Sequence, residues 1–217
     1  MNQFFSPDNP VMRFLATLCD LLLVNLFFVI TSIPVFTMGA ALSAMYNVIF
    51  KMQRNEVSSI RKDYFKAFKE NFRQSTVIWL PTLIILAVLF VDLYLLEKRV
   101  DLIGESYTFL KYPISILLFA FLAAINYIFP QIAAFKNTNK VLIKNAFLLA
   151  LGNFPTTLSF MIICALLFLI ANLSATLTVL VCSILCFIGF ALIAYIFSLF
   201  YRRIFNKILN NNEEDTV

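Results

Sequence analysis

The chain has 217 residues, 61% of them hydrophobic and only 13% charged, and its mean hydropathy is +0.88. A soluble domain is nearer half apolar and a quarter charged, so this composition excludes one and points to a single, all-α, polytopic membrane domain. The formal charge of +5 does not imply nucleic acid, because in a membrane protein excess Lys and Arg marks loops kept in the cytoplasm.

A helical span needs about 20 mostly apolar residues. Residues 14–33 supply the first, which breaks at "TSIPVFTMGAA". Pro34 cannot donate a backbone hydrogen bond and disfavours helix at Ile33. Thr37 can then cap a new helix, and Gly39-Ala40-Ala41 permits close backbone approach. The next segment, 37–52, is about 24 Å long as a helix. It is either a short second span or a re-entrant helix.

Residues 58–75 carry the densest positive charge in the chain. On a helical wheel Ile60, Tyr64, Phe65, Phe68 and Phe72 fall within about 140° of arc. Lys62, Lys66, Lys69 and Arg73 occupy a narrow band beyond it, while Arg61 falls inside the aromatic arc. This pattern predicts an amphipathic helix in the headgroup layer, its aromatics in lipid and its cations toward anionic headgroups. Trp79 follows at the depth of an aromatic belt. The same face suits a cytoplasmic partner such as a transporter ATPase. Nucleic acid fits poorly, because base stacking wants aromatics and cations side by side in one groove.

Four further spans follow at 76–96, 112–135, 154–172 and 175–200. The stretch 51–75 carries seven basic and three acidic residues, and 136–145 carries Lys136, Lys140 and Lys144 with no acid. Arg202, Arg203 and Lys207 follow the last span, whereas the charges of 97–111 balance. Positive-inside therefore places 51–75, 136–153 and the C-terminus in the cytoplasm. If 37–52 crosses, six spans form three hairpins with the N-terminus inside; otherwise five spans leave it outside. The reading taken here is six. A cleavable signal peptide ending near Ala41-Leu42-Ser43 fits less well, with only Arg13 before an overlong apolar run. A faint echo links "ENFRQSTVIWL" (70–80) with "GNFPTTLSFMI" (152–162), each entering a span from the inside.

The chain has no histidine, which removes histidine bases, histidine metal sites and the usual triads. Its four glycines are too scattered for a phosphate-cradling loop. Glu213, Glu214 and Asp215 read as a solvated tail. Cys19, Cys164, Cys182 and Cys186 lie in apolar runs without metal or disulfide spacing, and are expected in lipid or between helices. No catalytic, cofactor or metal site is expected.

Asp20, inside the first span, is a functional candidate by default. Asn25 lies about 140° around the helix from it. Asp92 is near the outer end of its span and within reach of water. Asn47, Asn126, Asn172 and Gln131 are expected to hydrogen-bond between helices, and Pro130 and Pro155 to kink or start helices.

The stretches "FFSPDNPVMRFL", "DLLLVNLFFVITSIPVFTMGAALSAMYNVIFKM", "DYFKAFKENFRQSTVIWL" and "IKNAFLLALGNFPTTL" together resemble the YesL-like family of bacterial integral membrane proteins, a domain of unknown function. The matching positions include Pro10, Asp20, Asn25, Pro34, Gly39, Phe65, Phe68, Phe72, Asn153 and Pro155. The resemblance implies a multi-span protein of the bacterial inner membrane, often encoded beside carbohydrate-uptake genes, and carries over no catalytic residues. The expectation is a non-enzymatic accessory or permease-like component of carbohydrate uptake. Its partners would be the bilayer and transporter subunits, met through 58–75 and 136–153. The alternatives are a standalone transporter using Asp20, and a membrane scaffold or sensor.

Overall fold

The computed structural model describes residues 10–98 and 109–214. Helix α1 (Pro10–Ser32) starts on a proline and stops before Ile33-Pro34. A 3-10 turn (Val35–Thr37) leads into α2 (Met38–Arg54). The Thr37 hydroxyl does not cap α2 as expected; it turns back and donates to the carbonyls of Thr31 (2.5 Å) and Pro34 (2.6 Å). Helix α2 ends at Asn55, whose left-handed φ of 56° is the usual helix-terminating conformation.

The amphipathic segment and the third span are one uninterrupted helix, α3 (Ile60–Lys98), with Pro81 inside it. Helix α4 (Lys111–Ala134) contains Pro130. The basic segment after it, which the sequence marked only by charge, folds into α5 (Asn139–Gly152). Helix α6 (Phe154–Leu173) has Pro155 in its first turn, where a missing N–H costs nothing.

The last apolar run is interrupted. Helix α7 (Ala175–Ile184), capped by the Ser174 hydroxyl, passes through a π turn (Leu185–Gly189) into α8 (Phe190–Glu214). Of the six charges expected to balance over 97–111, Arg99, Asp101 and Glu105 lie outside the described residues.

Among the described residues, six helices are long and apolar enough to cross a membrane, which makes this an all-α, polytopic helical membrane protein. Their burial is uneven: 61% of the apolar window of the second lies inside the protein, against 6% for α6. Helix α2 is therefore the centre of the bundle. Its Ala40, Ala41, Ala44, Val48 and Ile49 are fully enclosed, and small residues there let α3, α4 and α8 close around it. All four cysteines are free thiols on the outer surface.

The echo noticed in sequence has a structural counterpart. Aligning its two stretches pairs Ser75 with Thr157, both essentially fully buried. The Ser75 hydroxyl bonds that of Ser43 on α2 at 2.8 Å, and the Thr157 hydroxyl bonds that of Tyr127 on α4 at 3.1 Å. Each position thus ties the first apolar turns of a long helix to an earlier helix, α2 for Ser75 and α4 for Thr157.

Candidate functional site

Most of the charge gathers at one end of the bundle, called here the basic end. There α3 begins, fastened by Asp63. Its carboxylate takes Lys51 Nζ at 2.6 Å on one oxygen, and on the other the N–H groups of Ser58 (3.1 Å) and Ser59 (3.3 Å). Burial pushes this carboxyl up, but the hydrogen bonds from Lys51, Ser59 and Ser58, with the Lys51 charge, outweigh it and hold the pKa below the ordinary value.

The aromatic arc of α3 turns inward, not toward lipid. Tyr64 is fully buried, its hydroxyl 2.7 Å from that of Thr31. The Phe27 ring lies 5.7 Å from Tyr64 and 5.4 Å from Phe65. Phe68 packs on the core and stacks with Tyr64, and Phe72 is half-buried behind it. Phe65, at 36% exposure, is the most open of the arc. This is the main departure from the sequence-based picture: rings expected in the headgroup layer are used to weld α3 to α1 and α2.

Arg61, Lys62, Lys66, Lys69 and Arg73 are all exposed. Gln74, one residue past the stripe, donates to Asn137 O (2.7 Å) and Asn139 Oδ1 (3.0 Å). That contact sets the stripe beside the exposed Lys136, Lys140 and Lys144. The result is a predominantly cationic surface, with the exposed Glu70 set among the cations of α3.

Asp20 and Asn25 do different things. Asp20 is half-buried and lines a polar cavity of about 710 Å³ with Arg13, Thr17, Gln53, Asn55 and Tyr195. Gln53 closes its floor by donating to the Ser198 hydroxyl and to Tyr195 O.

Asn25 is fully buried and spends its amide on the π turn. Its Nδ2 donates to Leu185 O (3.1 Å) and Cys186 O (2.7 Å), and its Oδ1 accepts from Ala191 N (2.9 Å). A π turn breaks the regular ladder and leaves backbone groups to be answered from elsewhere. Asn25 answers three of them, so its role is structural.

Sequence reasoning missed a tyrosine cluster between α2, α4 and α8. Tyr201 donates to Asn126 Oδ1 at 2.5 Å and lies edge-on to Tyr46 and Tyr127, at 6.0 and 5.2 Å. Asn126 was expected to bond between helices and does, though its buried Nδ2 has no partner. Asn47 likewise reaches Ala133 O at 3.1 Å, whereas Asn172 bonds only within its own helix. No group of three metal-ligating side chains occurs among the described residues.

A family model described as a protein of unknown function, DUF624, matches residues 21–93. The chain is similar to that family over most of α1, all of α2 and most of α3. No curated protein and no solved structure matches it.

Proposed function

We propose that this is a YesL-like protein of the bacterial inner membrane, with its basic end and C-terminus in the cytoplasm. In this reading it acts without catalysis, as an accessory or permease-like component of carbohydrate uptake. The observation that carries the reading is the cationic stripe of α3. Its aromatic neighbours are consumed by internal packing, so the helix has little left to insert into lipid, while the cations project from a fixed platform. A helix built this way suits docking of an acidic cytoplasmic protein surface better than floating in headgroups. The link to carbohydrate uptake rests on the family resemblance.

Reversing Lys62, Lys66 and Lys69 to Glu is expected to abolish co-purification with a transporter subunit and leave the fold intact, because all three side chains are exposed. A complex that survives the reversal rejects the docking surface.

A second reading, a small transporter, is favoured by the polar cavity around Asp20. It expects Asp20→Asn to remove uptake while the protein still folds, measured with labelled sugar in proteoliposomes. Wild-type uptake by that variant rejects a role for the carboxylate.

A further inference from the structure

We infer that the groove between α3, α4 and α5 binds one anionic phospholipid, with an acyl chain in the groove and the phosphate held at its mouth by Arg73 and Lys140.

The groove has a volume of about 410 Å³, and its walls are apolar: Val77 and Ile85 from α3, Phe121 and Ile128 from α4, Ile143 and Phe147 from α5. Helix α5 supplies its wall because Leu142, Ala146 and Ala150, four apart, are buried against the bundle. The adjacent stripe, Ile143 and Phe147, is thereby left along the groove. Two contacts fix the ends. At one, Gln74 Nε2 donates to Asn139 Oδ1 at 3.0 Å. At the other, Phe121 meets Phe147 edge-on at 5.9 Å. From Val77 to Ile85 the α3 wall rises about 12 Å.

The exposed residues show where the groove meets the headgroups. Along α3 they change from Lys69, Glu70 and Arg73 to Val77, Leu80 and Ile84. Along α5 they change from Lys140 and Lys144 to Leu148 and Leu151. Each change is the step from headgroup to hydrocarbon, and the Gln74–Asn139 bond sets the mouth on its charged side. Arg73 stands one turn before Val77 on the same helix face. Lys140 directly follows Asn139, and Lys136 directly precedes Asn137, whose carbonyl takes the other Gln74 bond. Glu70 lies a turn before Gln74, further from the groove, so cations prevail at the mouth.

An apolar groove at hydrocarbon depth with a cationic mouth fits one kind of amphiphile, an acyl chain carrying an anionic head. Basic pockets between spans hold anionic headgroups in this way. A water-soluble protein partner would have to enter the hydrocarbon to fill the groove. The site is independent of which membrane face is cytoplasmic, and it uses none of Lys62, Lys66 and Lys69.

The test is native mass spectrometry of the delipidated full chain in micelles holding equal amounts of phosphatidylglycerol and phosphatidylcholine with the same acyl chains. The wild type is expected to retain one phosphatidylglycerol, about ten-fold in preference to phosphatidylcholine. Arg73→Gln combined with Lys140→Gln is expected to bring the preference to within about two-fold of unity, since each cation near a headgroup is worth about five-fold. Val77→Trp, at a position 54% exposed, keeps every charge and fills the groove, and is expected to lower the retained lipid at least five-fold. Ile143→Trp, from the opposite wall and 40% exposed, is expected to do the same. All four side chains are exposed, and unchanged thermal unfolding of each variant checks that the bundle is intact. Equal retention of both lipids by the wild type overturns the site. So does wild-type retention of phosphatidylglycerol by both tryptophan variants, which would make the attraction one of surface charge alone.

Discussion

Replacing Gly39 by alanine is expected to lower the apparent melting temperature of the purified protein by about 6–12 °C, corresponding to about 3 kcal/mol. A Cβ at this position would stand 2.7 Å from Trp79 Cβ, 2.9 Å from Phe129 Cε1 and 3.1 Å from the Ser75 carbonyl oxygen. Two of these are fixed points, a Cβ and a backbone oxygen, which cannot swing aside like the end of a long side chain. Relief requires α2 and α3 to separate, which strains the Ser43–Ser75 hydrogen bond and the bond from Trp79 Nε1 to Val35 O. Thermal unfolding followed by circular dichroism in detergent checks this. A melting point within about 2 °C of wild type would mean that α2 and α3 are not in this close contact.

Asn25→Leu is expected to cost about 2–4 kcal/mol. The substitution keeps the γ-branched shape, with somewhat more bulk, but leaves Leu185 O, Cys186 O and Ala191 N in a buried site without their partner. Each such group costs roughly 1–3 kcal/mol in a soluble interior, and polar contacts between membrane helices are usually worth less. A double variant tests the cause. Deleting Phe187, whose side chain is 72% exposed, removes the extra residue of the π turn and restores a regular ladder. In that background Asn25→Leu should be milder, and an equal loss in both backgrounds would show that the π turn is not what Asn25 supports.

The contrast between these two residues shows what the sequence reveals and what it conceals. Gly39 was legible: it follows a proline break, and two alanines after it announce close approach. Asn25 was legible only as a polar residue in an apolar run, because its partners lie 160 residues or more away. Apolar length marked every crossing candidate, and charge marked the basic end. The wheel of 58–75 separated rings from cations correctly but could not say what the rings would bury against. Lipid and the α1–α2 hairpin are equally apolar, and the choice was made by Phe27 and Thr31, far back in the chain. The π turn leaves no compositional trace within Leu185–Gly189.

The structural features bear on function together. Asp63 and the inward-turned rings fix α3 at the point where it leaves the bundle, and Gln74 ties it to the α4–α5 connection. The cationic stripe is thereby held still, which reduces the ordering cost of binding a partner. The polar cavity around Asp20 opens at the same end, so its contents exchange with the side on which a cytoplasmic partner would sit.

The most direct measurement is a gentle-detergent pull-down from the native bacterium, made in parallel with the wild-type chain and the Lys62, Lys66 and Lys69 to Glu variant, with mass spectrometry of what is retained. The account predicts that the wild type brings down sugar-transporter permease or ATPase subunits, and that the variant, equally well folded, loses them. A wild-type protein recovered alone, or a variant that keeps the same companions, would contradict it.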